Sequence, residues 1–266
     1  IMARRLGADV EGLLAVGDDL AAAFALPALE RAGLPASMLV RLTGHTGSGI
    51  GFTDAAGETC VAVAPGANLA LSAEHVLQRA RAIAGAALVT AQFEIGDQPI
   101  EAAFALARQA GVPTLLNPSP FRNIPEAMLA LTSILIVNET EAGSLALSLG
   151  LGPDGATEPQ RFAAELASRL MTCGPELIVM TRGAAGAIAV TAQGQVTEQN
   201  GFAVETVDSL GAGDAFAATL GVRLATGRSL PESLRDAAIA GALTTTRNGV
   251  FDALPSLAAI KAMIGA

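Results

Sequence analysis

Residues 208–216 read DSLGAGDAF. Two glycines flank an alanine, an aspartate follows at once, and an apolar helical stretch begins there. Glycines at a helix entry let a group approach the backbone, and the free amides and positive dipole end favour an anion. Yet Asp214 is itself an anion in that place. A carboxylate beside a bound phosphoryl group has a chemical use, because it can accept the proton of a hydroxyl that attacks phosphorus. The competing reading is an aspartate that gains about 0.3–1 kcal/mol from the helix dipole and does no chemistry. A dinucleotide fingerprint fits poorly, since G-x-G-x-x-G needs a third glycine where Phe216 stands.

Three further stretches carry candidate groups. In NETE, residues 138–141, Asn138 and Glu141 have the spacing of a capping box. Their functional reading gives Asn138 to a phosphate and Glu141 to a hydrated Mg²⁺. In TRGAAG, residues 181–186, the glycines make a turn that serves either as a plain connection or as the edge of a nucleotide site. Glu94 follows the apolar run LVTAQF. His45 and His75 read as surface or structural residues, and with two isolated cysteines they give no zinc spacing.

The elements that must position these groups alternate between short apolar runs and amphipathic stretches. LLAVG (13–17), AALVTAQFE (86–94), TLLN (114–117) and SILIVN (133–138) read as strands, separated by helical stretches. ELIVMTRGAAGAIAV (176–190) reads as two strands around a glycine-rich turn, and FAVETV (202–207) as a further strand. This order predicts βαβ units and a mostly parallel sheet covered on both faces. In such sheets ligands bind where strands run into loops at their carboxyl ends. Glu94, Asn117, Asn138 with Glu141, and the 208–214 loop all fall at such ends. Residues 38–64 break the pattern: they read as extended chain with a hairpin turn at DAAGE (54–58) and predict a small β lid. The expected organisation is a core of 1–37 and 65–266 with the lid at 38–64. Three successive helices are expected over 212–266.

Composition narrows the function. The net charge is −9, which argues against nucleic acid or an anionic membrane as partner. No apolar run approaches the ~18 residues of a membrane span, and no basic-then-apolar leader is read. Isolated Cys60 and Cys173 fit a reducing, cytoplasmic setting. Of sixteen basic residues only Lys261 is a lysine, so a Walker-type GxxxxGK[ST] loop is absent. Any phosphate is therefore handled by backbone amides, arginine and metal.

Taken together, NPSP, NETEA, TRGAAG and VDSLGAGDAFAATL, in this order, resemble the ribokinase-like sugar kinases of the phosphofructokinase B family. The resemblance runs over nearly the whole chain and is nearest to ribokinase. It implies a three-layer, doubly wound α/β fold with a β lid, and ATP-dependent phosphorylation of a sugar hydroxyl, ribose foremost. It implies Asp214 as catalytic base and Gly211, Ala212 and Gly213 as the anion hole. Asn138, Thr181, Arg182, Gly183, Ala184, Ala185 and Gly186, with Gly213, would line the nucleotide site. Glu141 would serve Mg²⁺, and Glu94 the sugar hydroxyls. Asp208, Leu210, Thr244, Arg247 and Gly249 fall on positions that hold a monovalent cation, K⁺. A homodimer through the lid is implied as well. Ser209 replaces the signature's more usual threonine, and Ala238 replaces a polar residue beside the adenine. By the resemblance the chain starts inside the first substrate-side helix, so the family's first strand, half the lid and the sugar-binding glycine loop are expected to be missing. A kinase for a nucleoside or another sugar, or a non-catalytic nucleotide- or sugar-binding protein, are the alternatives.

Overall fold

The computed structural model describes residues 1–53, 59–152 and 158–265. Along the chain come α1 (Met2–Arg5), β1 (Leu14–Val16), α2 (Ala25–Arg31) and β2 (Leu39–Arg41). The hairpin strands β3 (Ser48–Thr53) and β4 (Thr59–Ala64) follow, then α3 (Ala73–Leu77) and α4 (Ala80–Ala84). The central part holds β5 (Val89–Gln92), α5 (Asp97–Gln109), β6 (Thr114–Asn117), α6 (Glu126–Leu131), β7 (Ile134–Asn138), α7 (Glu139–Ser148) and α8 (Pro159–Leu170). The chain closes with β8 (Leu177–Thr181), β9 (Ala187–Thr191), β10 (Val196–Gln199), α9 (Ala212–Ala225), α10 (Leu230–Thr244) and α11 (Leu257–Ile264).

Six strands form the main sheet in the order β10-β9-β8-β7-β6-β5. β5 to β8 run parallel, and β8, β9 and β10 pair antiparallel. Continuous apolar strands make this possible: Ile134 to Val137 are all buried, as a sheet with helices on both faces requires. One face packs Leu116, Leu135 and Ile178 against α5, α7 and α8, with Phe104 and Leu166 at its centre. The other packs Leu115, Ile136 and Val179 against α9 and α10 through Leu220 and Leu234. Full burial of such side chains contributes about 1.5–3 kcal/mol each. The expected three-layer, doubly wound architecture is therefore present.

Two expectations are corrected. Residues 202–207 are not a strand. The N–H of Val207 bonds to the carbonyl of Thr245 instead of a neighbouring strand, so this segment is anchored to the end of α10. Residues 38–64 are also not one lid. β2 pairs in parallel with β1, with α2 in the crossover, and only β3 and β4 form the antiparallel hairpin. The hairpin turn expected at 54–58 lies outside the described residues. The register of the hairpin puts Gly49, Gly51, Val61 and Val63 on one face and Ile50 and Phe52 on the other.

The base of the hairpin is knotted to the end of β1. Asp19 accepts from the N–H and hydroxyl of Thr46, at 2.9 and 2.6 Å, and from the N–H of Ala22 at 3.1 Å. These bonds favour the ionised carboxylate and hold its pKa at about 2. Gly17 has no side chain for a steric reason: a Cβ there would lie 2.1 Å from the carbonyl oxygen of Gly44.

Candidate active site

Strand register gathers the candidates at one edge. Gln92 lies beside Asn117, and Asn138 beside Thr181, so the loops after β5 to β8 open in the same direction. The N-terminus of α9 faces them. Its first residue follows Gly211, which is in the left-handed conformation at φ 82° and ψ −3°, and no side chain caps the helix. The N–H of Ala212 donates to the carbonyl of Ser209 at 3.3 Å, and the absence of a side-chain cap leaves neighbouring amides to a ligand or solvent. Gly213 faces open space, with no atom within 4 Å of where a Cβ would stand.

Asp214 sits in that first turn. Its carboxyl can be reached by solvent yet is walled by protein on most sides, and this shielding raises its pKa. Glu94 is raised too, first by partial burial and then by the negative charge of Asp214. The two carboxylates therefore influence each other, although they lie far apart in the chain.

The loop before α9 is tied to the loop after α10. Val207 and Asp208 both donate their N–H to the carbonyl of Thr245, at 2.7 and 3.1 Å, and Oδ1 of Asp208 accepts from the N–H of Leu210 at 3.0 Å. A Cβ on Gly211 would touch Val250 at 3.3 Å. Asp208 and Leu210 are in this way brought beside Thr244, the last residue of α10, with Arg247 and Gly249 just beyond it. Thr244 is buried, and its hydroxyl donates to the carbonyl of Ala240, which leaves its own carbonyl as the group it could offer.

Asn138 and Glu141 do form the capping box. Glu141 accepts from the N–H of Asn138 at 2.8 Å, and Asn138 from the N–H of Glu141 at 2.9 Å. Glu141 is buried, which raises its pKa, while its bonds from Asn138 and the Ser119 side chain oppose the rise. No Arg or His among the described residues is paired with it. A buried carboxylate without a cationic partner suits a divalent cation, with or without an intervening water.

The TRGAAG stretch is a tight connection between β8 and β9. Arg182 N–H bonds to the carbonyl of Gly186 at 2.8 Å, and Gly183 and Gly186 have φ of 52° and 96°. A Cβ on Gly186 would lie 2.0 Å from the carbonyl oxygen of Gln199. Ala184 and Ala185 are exposed on this turn. Arg182 turns away from the turn, pairing with Glu198 at 3.0 Å and Glu139 at 3.6 Å. Its guanidinium is thus already committed, and the turn offers shape and backbone to a ligand.

A cleft of about 350 Å³ lies beside Glu94, lined by Val63, Leu69, Phe93, Asp97 and Arg122 among others. Gly51 of the hairpin lies against Leu210, so the hairpin spans from this cleft toward the loop before α9. Arg122 and the Asp19–Thr46 knot carry no local sequence signal, and Ser119 is marked only by its place in NPSP. His75 is structural as expected: Nδ1 accepts from the Ser72 N–H at 3.2 Å. Among the described residues no helix is long and apolar enough to cross a membrane.

Residues 1–257 match the family described as pfkB family carbohydrate kinase. Ribokinase from Staphylococcus aureus is 28% identical over 97% of this chain and 83% of its own length. The structure of Arabidopsis thaliana ribokinase complexed with ribose and ATP superposes with a TM-score of 0.86, at 22% identity, over 100% of this chain and 85% of that one. An E. coli structure in complex with ATP and Mg²⁺ gives a TM-score of 0.80 at 22% identity, over 99% of this chain and 85% of that one.

Proposed function

The chain belongs to the pfkB family of carbohydrate kinases, and we propose that it moves the γ-phosphoryl group of ATP onto a hydroxyl of ribose. The observation that carries this reading is the uncapped start of α9. There Gly211 turns the backbone, Gly213 leaves space, and Asp214 stands in the first turn with a raised pKa.

The amides of Gly211, Ala212 and Gly213 would take the phosphoryl oxygens, as helix N-termini do. Asp214 would accept the proton of the attacking hydroxyl; a positioned general base contributes roughly 10²–10⁴-fold. Glu94 would hold the sugar by accepting its hydroxyls. Asn138 and the turn at 181–186 would border the nucleotide. Glu141 would hold Mg²⁺, which when bound screens the phosphate charges. The loop of Asp208 and Leu210, together with Thr244 at the end of α10 and Arg247 and Gly249 after it, would offer oxygens to K⁺ and thereby order the anion hole.

The outer face of the hairpin exposes Ile50 and Phe52, at 61% and 59%. An apolar pair of this kind suits a second copy of the chain, and a homodimer through it is part of the proposal. A cytoplasmic setting is also part of it, supported by the unpaired Cys173.

An ADP-release assay with ribose, deoxyribose and adenosine in parallel tests the reading. Fastest turnover with ribose is expected. Faster turnover with adenosine would assign the chain to nucleoside phosphorylation, and nucleotide binding without release of ADP on any acceptor would make it a binding protein.

A further inference from the structure

The loop after β6 carries Arg122, whose guanidinium lies 3.9 Å from the ring centroid of Phe93. Its Nη2 donates to the carbonyl of Ile95 at 3.0 Å, and its Nη1 pairs with Asp97. Phe93 and Ile95 are the two chain neighbours of Glu94. The same loop holds Phe93 a second time, because the Phe93 N–H donates to the carbonyl of Ser119 at 3.0 Å. Through its side chain Ser119 also bonds Glu141. One loop therefore touches the segment carrying Glu94 and, separately, the buried carboxylate of α7.

We propose that Arg122 is a positioning residue for the sugar: it holds both neighbours of Glu94, the ring of Phe93 and the carbonyl of Ile95, so that this carboxylate meets the sugar hydroxyls already in place. The Asp97 pair would do little alone, since both side chains are about one-third exposed or more, at 35% and 40%. The combination is what matters. The flat face of the guanidinium covers Phe93 while its two outer nitrogens reach Ile95 and Asp97, a use of fork and face that lysine cannot copy. Glu94 itself lines the cleft with Arg122 and is left available to a ligand. A carboxylate on an unpinned loop would have to be ordered by each substrate at a cost in affinity.

The proposal rests on Glu94 as the sugar ligand, and the experiment separates the two. Steady-state kinetics with ribose and ATP are measured for Arg122→Ala, Arg122→Lys and Glu94→Gln, with the melting temperature of each as a control on folding. Arg122→Ala is expected to raise the KM for ribose about tenfold, the scale of one charge-assisted hydrogen bond, and to change the KM for ATP less than about twofold. Arg122→Lys keeps the charge beside Asp97 and falls between. If Glu94→Gln raises the ribose KM and Arg122→Ala does not, or if Arg122→Ala raises both KM values alike, the positioning role is overturned. If Glu94→Gln leaves the ribose KM unchanged, Glu94 is not the sugar ligand, and the role of Arg122 falls with it.

Discussion

Glu94, just past the end of β5, has its pKa raised first by partial burial and then by the charge of Asp214 in the first turn of α9. Two carboxylates that repel each other are a cost to the fold. Their proximity makes sense if a ligand carrying hydroxyls comes between them.

Asp214→Asn is expected to lower kcat by roughly 10²–10⁴-fold, the range for loss of a general base. The side chain is exposed and forms no ion pair among the described residues, so the melting temperature at neutral pH should not fall. A near-normal rate would remove Asp214 from the reaction.

The raised carboxyls set a pH dependence. Asp214 must be ionised to accept a proton, so kcat should rise with pH through a value above the ordinary aspartate range, near ~3.9. Stability runs the other way. The folded chain binds protons on Glu94 and Asp214 more tightly than the unfolded chain does. That contribution is complete below the unfolded pKa values and is lost as pH rises through the folded ones. Glu94→Gln should therefore melt higher than the parent at pH 7, and the Glu94 carboxyl followed by NMR should titrate lower in Asp214→Asn. An unmoved Glu94 titration would show that the two groups are not coupled.

Alanine at the two glycines should separate fold from function. At Gly211, φ is 82° and a Cβ would press on Val250 at 3.3 Å, so Gly211→Ala should lose about 1–2 kcal/mol of stability as well as activity. At Gly213 there is space and a helical backbone, so Gly213→Ala should gain up to ~1 kcal/mol. Its methyl group enters the room meant for the phosphoryl group, and kcat should fall. Thermal melts beside kinetics check this, and full activity in Gly213→Ala would place the anion elsewhere.

Potassium should activate the enzyme. The loop bearing Asp208 meets the end of α10, where Thr244 stands, through the bonds to the Thr245 carbonyl, and a cation there would order the start of α9 and add to its positive field. Rates in KCl and tetramethylammonium chloride at matched ionic strength provide the comparison, and equal rates would exclude a cation role.

Much of this was written locally in the chain. Apolar runs such as ILIV announce strands buried on both faces, and the glycines at 211 and 213 announce a helix start open to a ligand. Such features depend on side-chain pattern and backbone freedom within a few residues, so a sequence carries them directly. Strand order then follows from short connections, which is why the loops of Glu94, Asn138 and Thr181 could be expected at one edge. Partnerships between distant segments could not be expected. Whether FAVETV pairs as a strand depended on Thr245 presenting a carbonyl to Val207, and β2 joined β1 because α2 returned the chain alongside it. Arg182 lies in a glycine-rich turn, yet its charge is held by Glu139 and Glu198 from two other elements. The coupling of Glu94 to Asp214 and the grip of Arg122 on the flanks of Glu94 have no local signature at all. They exist because packing brings remote backbone and charge together in partly shielded surroundings, where the energy of a charge depends on neighbours that sequence order does not specify.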